Sequence, residues 1–174
     1  DGKMIDGSGW NVPADYDART RLWYTKTKEQ GKLTFTDPYL DLVTKKMAIS
    51  VAIPVKNSAG QFRGVMAEDI LLQTLVDNVV GIKIHEAGYA YLLDSQGNLL
   101  AHPNKEMTSK NLLKDEQFKD VAPLFKEILA KDNGYSSYQY QGKDLLMVYK
   151  KIPSTGWTLA ISVPEEVIYQ PLVT

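Results

Sequence analysis

The sequence predicts an α+β protein of two modules, each an antiparallel sheet flanked by helices. Three observations lead there. Residues 46–55 alternate apolar and small or polar positions through Met47, Ile49, Val51 and Ile53, the period of a half-buried strand. Asn57-Ser58-Ala59-Gly60 is a turn cluster, and residues 61–70 return as a second strand, so the pair reads as a hairpin. Ile70, Leu71, Leu72, Leu75, Val76, Val79 and Val80 then fall on one helical face, with Asp69 as the expected N-cap and Gly81 as the stop.

The later half repeats this design. Residues 88–93 form a strand, Ser95-Gln96-Gly97 a turn, and 98–102 the return strand, which Pro103 ends. Residues 115–132 read as one helix with Phe118, Val121, Leu124, Phe125, Ile128 and Leu129 inward. Strands follow at 135–140, 145–151 and 157–163. Pro164-Glu165-Glu166 opens a last helix, with Pro in the first turn and carboxylates at the positive end of the dipole. The stretch 49–68 plus its helix matches 145–163 plus its helix, which points to two modules, 1–82 and 83–174. The Asp94-x-x-Gly97 turn has a strand before it, whereas Asp1-Gly2-Lys3 opens in mid-pattern, without the look of a signal peptide. The expectation is that Met4–Asp6 is a strand and that its partner precedes this sequence.

Composition narrows the function. Lys plus Arg is 20 against 21 for Asp plus Glu, a net charge of −1, which disfavours a nucleic-acid binder. Ten Tyr, three Trp and four Phe supply enough apolar surface to argue against disorder. No run approaches the roughly 18 apolar residues of a membrane helix. With no Cys there is neither a disulfide framework nor a thiolate metal site.

One stretch is unlike the rest. Residues 15–24 hold Tyr16, Arg19, Arg21, Trp23 and Tyr24, and Asp37-Pro38-Tyr39-Leu40-Asp41 follows. Arg offers a planar fork that fits a carboxylate. Trp and Tyr give an apolar wall with one polar tip. Asp41 and Asp69 are pure acceptors when ionised. Together these suit a small zwitterion, its carboxylate on Arg and its ammonium on Asp. The plainer reading is a surface Arg–aromatic stack beside an ordinary Asp-Pro turn.

Arg21-x-Trp23-Tyr24, Asp37-Pro38-Tyr39-x-Asp41, the strand 47–55 and Gly64-Val65-Met66-Ala67-Glu68-Asp69-Ile70 resemble the membrane-distal module of a double Cache domain. The hairpin ending at His102-Pro103, Tyr149 and Thr155-Gly156-Trp157 resemble its membrane-proximal module. The resemblance covers nearly the whole chain. It implies PAS-like modules, distal at 1–82 and proximal at 83–174, beside a long N-terminal helix not in this sequence. It implies the extracytoplasmic, periplasmic sensor of an inner-membrane bacterial chemoreceptor, a methyl-accepting chemotaxis protein that signals across the membrane and is a homodimer when whole.

Amino-acid-binding members carry a Tyr five residues before the Arg, Trp and Tyr two and three after it, and an Asp at the strand end. Those positions are Tyr16, Arg21, Trp23, Tyr24 and Asp69 here, and Tyr39 and Asp41 match further pocket positions. The resemblance implies that Arg21, Tyr16 and Trp23 hold the ligand carboxylate and that Asp69, Asp41 and Tyr39 hold the ammonium. Amine-sensing members do not need the Arg, so Arg21 favours an amino acid. Glu68 beside Asp69 should face the other way by strand alternation. The alternatives are an amine sensor, or the sensor of a histidine kinase or a diguanylate cyclase.

The second module lacks this pattern, and packing accounts for its strand aromatics, so it reads as a structural coupler. An enzyme is not expected. His85 and His102 are the only histidines, and no His-Glu-x-x-His, Gly-x-Ser-x-Gly or phosphate loop occurs. Asp1, Asp6, Asp15, Asp17, Asp37 and Asp41 lack EF-hand spacing, so neither a metal nor a cofactor is expected. A two-lobed solute-binding protein would need parallel strands with intervening helices rather than hairpins.

Overall fold

The structure, a computed structural model, describes residues 2–82, 84 and 87–169; His85 and Lys83 lie outside the described residues. The chain divides into two compact units, Asp1–Leu71 and Leu72–Thr174.

The first unit holds α1 (Leu22–Gln30), β1 (Thr34–Phe35), β2 (Tyr39–Leu40), β3 (Met47–Lys56) and β4 (Phe62–Leu71). All pairings are antiparallel, with β3 central. Along one side of β3 runs β4; along the other, β1 and β2 follow each other. Asp37-Pro38 separates those two short strands, because Pro has no N–H to continue a ladder. Asn57 closes the β3–β4 turn, its Oδ1 accepting from the amides of Ala59 and Gln61 at 3.1 and 2.9 Å. The ladder slips by one residue there. Lys56 faces Phe62, but Val55 faces Gly64, leaving Arg63 as the extra residue of a bulge. Helix α1 packs on β1, β3 and β4. It ends at Gly31, whose φ of 65° suits a left-handed cap that a side chain would strain.

Two expectations change here. Met4–Asp6 is not a strand, and Ile5 is 98% exposed. Asp6 instead gathers a turn, its Oδ1 accepting from the amides of Ser8 and Trp10 and from the Ser8 hydroxyl, the local bonding with which Asp competes against strand pairing. Asp69 is not a helix cap either. Ladder pairing with β3 continues to Leu71 opposite Ala48, so Asp69 sits inside β4.

The second unit contains α2 (Leu72–Val80), β5 (Tyr89–Leu93), β6 (Leu99–Ala101), α3 (Ala122–Leu129), β7 (Asn133–Tyr140), β8 (Lys143–Ile152), β9 (Trp157–Pro164) and α4 (Glu165–Ile168). Its antiparallel sheet has the order β6-β5-β9-β8-β7. Helix α2 buries Leu72, Val76 and Val79 and packs on β5 and β6, so it belongs with this unit. The core joins Leu93, Leu99, Phe118, Phe125, Ile128 and Met147. The helix expected over 115–132 is split into a 3₁₀ turn at Glu116–Phe118 and α3. Pro123 explains the break, since its ring and missing N–H are tolerated only in a first helical turn.

Candidate functional site

The first unit encloses an open cavity of about 850 Å³. Its walls are the segment 2–8, Ala18, Arg19, Trp23 and Tyr24, the β2–β3 loop at Asp41, Val43 and Thr44, and one length of β4 from Arg63 to Asp69 with Leu71. No other strand lies along that edge of β4 among the described residues.

Of the seven residues singled out from sequence, Trp23, Tyr24, Asp41 and Asp69 line this cavity. Tyr39 joins them through Asp69, its hydroxyl donating to Asp69 Oδ1 at 2.7 Å. Tyr16 and Arg21 are not on the wall. They pair with each other, the Arg21 guanidinium lying 5.6 Å from the centre of the Tyr16 ring, which in turn meets Trp10 edge-on at 5.4 Å. Arg21 also serves as the N-cap position of α1, with extended backbone and no side-chain capping bond.

The cations on the wall are ones to which the sequence pattern gave no ligand role: Lys3, Arg19 and Arg63. Arg19 is gripped by Asp17, with Nη2 at 2.6 Å from Oδ2 and Nε at 2.9 Å from Oδ1. Hydrogen bonds from the Arg19 side chain and amide hold the Asp17 carboxyl down at about 2. The same pair raises the Arg19 guanidinium.

Asp69 is the acceptor at the centre. Ser50 lies directly opposite it on β3 and is fully buried, and Ser50 Oγ donates to Asp69 Oδ1 at 2.6 Å. Tyr39 Oη and Ser50 Oγ are also 2.7 Å apart. Two hydroxyl protons thus serve three oxygens, and a charged acceptor is the stronger claimant on both. Burial pushes the Tyr39 hydroxyl up, and the Asp69 carboxylate adds to that, so Tyr39 remains a donor. Asp69 Oδ2 meets no donor among the described residues and is the atom left for a ligand.

Asp41 is mostly committed to its own loop. Its Oδ2 accepts from the amide and the hydroxyl of Thr44, both at 2.6 Å. Burial raises its carboxyl, but the bonds from Thr44 and the neighbouring amides outweigh it, and the net shift is downward.

Sequence pattern missed Ser50. The signal was available only through register, because a serine among apolar strand residues looks like ordinary alternation. Glu68, expected to face away from Asp69, is also on the cavity wall, since the wall follows the strand edge residue by residue.

The Cache domain family matches residues 1–172. The methyl-accepting chemotaxis protein McpG of Pseudomonas putida is 32% identical over all of this chain and 25% of its own length. The methyl-accepting chemotaxis protein PctB of Pseudomonas aeruginosa is 30% identical over 93% of this chain and 25% of its own. The chain therefore spans about a quarter of these curated relatives. Among solved structures, the ligand-binding domain of PctB in complex with L-Arg superposes with a TM-score of 0.76 at 27% identity, covering 99% of this chain and 71% of that one. The ligand-binding domain of the Pseudomonas fluorescens chemoreceptor CtaA in complex with L-serine gives 0.73 at 29% identity, covering 95% and 69%. With the family matched from end to end and relatives at this identity, the chain belongs to the Cache domain family.

Proposed function

We propose that this chain is the extracytoplasmic ligand-binding part of a bacterial methyl-accepting chemotaxis receptor and that it takes a small amino acid in the cavity of its first unit. The observation that carries the reading is Asp69, held by Tyr39 and Ser50 with Oδ2 left open, on a wall it shares with Trp23 and Tyr24. An ammonium group shed of water must regain hydrogen bonds, and a carboxylate acceptor supplies strong ones. Trp23 and Tyr24, edge-on to each other at 5.7 Å, offer the apolar surface for the ligand body. Arg21, Arg19 or Arg63 completes the zwitterion's pairing at the carboxylate end. Solved ligand-binding domains of the same family are in complex with L-Arg and L-serine, which favours this ligand class. Binding proceeds without turnover. In the parent protein the unit is distal and the second unit proximal to the inner membrane, a homodimer relays the signal, and binding biases one arrangement by differential affinity.

An amine is the second reading. It is favoured by the placement of Arg21 on Tyr16 rather than on the wall, while Asp41, Glu68 and Asp69 give that wall several carboxylates.

Calorimetric titration of the chain with the twenty amino acids, putrescine and acetate decides between them. The expected result is binding of one or more L-amino acids, at least tenfold weaker in both Asp69→Ala and Arg21→Ala. Amino-acid binding unchanged in Arg21→Ala moves the carboxylate contact to Arg19 or Arg63. Binding of putrescine alone establishes the amine reading. Binding of none rejects the cavity as a site for either class.

A further inference from the structure

We propose that the second unit carries a ligand site of its own, which takes a small monocarboxylate with an apolar body. The proposal is independent of what the first unit binds.

The second unit contains a separate cavity of about 360 Å³. Packed interiors leave few voids larger than a water molecule, whereas small-molecule sites begin near this volume. Rings of Tyr89, Tyr91, Tyr138, Tyr140, Phe118 and Phe125 form much of its wall. The tyrosines stand at alternate positions of β5 and β7, which puts each pair on one face of the sheet. The hydroxyls of Tyr91 and Tyr138 are anchored rather than loose. Tyr91 Oη donates to Met147 Sδ at 2.9 Å, and Tyr91 and Tyr138 meet Ser162 Oγ at 3.2 and 3.0 Å. The aromatic wall is therefore preorganised, which lowers the ordering cost of binding.

The polar groups define the ligand class. His102 lies edge-on to Tyr89 at 5.4 Å and tilted against Tyr91 at 5.8 Å. Its Nδ1 accepts the Asn104 amide at 3.0 Å, so in the neutral ring the proton sits on Nε2, a donor with no partner among the described residues. Burial lowers the His102 pKa, which favours that neutral ring. Lys143 supplies a cation, and Gln141 and Asn104 supply amide groups. Among the described residues no Asp or Glu lines the cavity. A ligand ammonium would find no anion among those residues, which disfavours amines and zwitterions. A carboxylate would find the Lys143 ammonium and the His102 donor, with its hydrocarbon part against the rings. This is the reverse of the first cavity, whose wall carries Asp6, Asp41, Glu68 and Asp69.

The test uses methionine methyl NMR on the whole chain, because Met107 lines this cavity while Met4 and Met66 line the first. Butyrate and benzoate are titrated beside butyramide, benzamide and butylamine. The expected result is a saturable shift of the Met107 methyl with at least one acid, Met4 and Met66 unmoved. The amide and the amine bind at least tenfold more weakly. Lys143→Met and His102→Phe each lower affinity for the acid at least tenfold; Lys143 is exposed, so its replacement tests the charge in a folded protein. No Met107 shift with either acid overturns the proposal. So does equal binding of the amides, or affinity retained in both variants.

Discussion

Ser50 Oγ and Asp69 Oδ1 lie 2.6 Å apart across the β3–β4 ladder, with the serine wholly buried and the aspartate more than a third exposed. The buried partner therefore fixes the orientation of the accessible one. Ser50→Ala removes one donor and little volume, so the fold should persist while ligand affinity falls about threefold to tenfold, the worth of a typical hydrogen bond. Asp69→Asn keeps both acceptor contacts but removes the charge, and should cost at least tenfold. Calorimetry on the two variants measures this. Equal affinity for Ser50→Ala and the wild type would show that Tyr39 alone positions Asp69.

The bulge at Arg63 decides which carboxylate Ser50 meets. Beyond the bulge Ser50 faces Asp69; continued from the Lys56–Phe62 pair without the bulge, the ladder would set Ser50 opposite Glu68. A one-residue slip exchanges the faces of the strand. One extra residue inserted between Met66 and Ala67 should therefore leave a folded hairpin with Glu68 opposite Ser50, and ligand binding should fall at least tenfold. An Arg63 deletion control removes the bulge residue but keeps Asp69 opposite Ser50, and separates loss of the Arg63 side chain from loss of register. Binding retained in the insertion variant but lost in the Arg63 deletion would reverse this account and make the Arg63 side chain the determinant.

What the sequence disclosed follows the range of each interaction. The β3–β4 hairpin and the strands of the second unit are local patterns with clear turns, and they read correctly. The 115–132 helix reads as continuous because its apolar spacing is unbroken, although Pro123 marks the place where it splits. Asp69 was placed at a helix start because apolar spacing begins beside it, whereas ladder pairing with Ala48 carries the strand two residues further. Pairing depends on a distant segment and leaves no local mark. Ser50 stayed hidden for the same reason, since its meaning comes from a one-residue bulge. Arg21 carried the right residue type, but its stacking on Tyr16 is a tertiary contact that spacing alone does not give.

Asp41 and Thr44 offer a test of support against contact. Two bonds from Thr44 close the loop between β2 and β3, at the cavity wall. Thr44→Val removes the hydroxyl bond and keeps the amide bond and the side-chain shape. It should lower stability by about 1.5–3 kcal/mol, the usual worth of a bond to a charged acceptor. Urea unfolding checks this. If Asp41 acts only through the loop, Thr44→Val and Asp41→Asn should weaken the ligand in parallel. A much larger loss in Asp41→Asn would assign Asp41 a direct contact.

His102 gives stability an acid-side dependence separate from that of the carboxylates. Burial holds its folded-state pKa below 6.5, so the unfolded chain takes up the proton first as pH falls. Its contribution is whole above about 6.5 and is lost as pH drops through that value toward the folded pKa. Asp6, Asp17 and Asp41 behave differently. Their carboxyls are held below 3.8 in the fold, so their contributions survive at mildly acid pH and disappear only as pH falls through those lower values. Each unit by which burial lowers the His102 pKa costs about 1.4 kcal/mol once the ring is charged in both states. The urea midpoint of the wild type should thus fall between about pH 7.5 and 5.5, the span over which a histidine changes charge. His102→Phe should show a flatter slope over the same span. The other histidine, His85, is present in both proteins and cancels in the comparison. Equal slopes in the two proteins would mean that His102 keeps its solution pKa and that the ring is not buried as described.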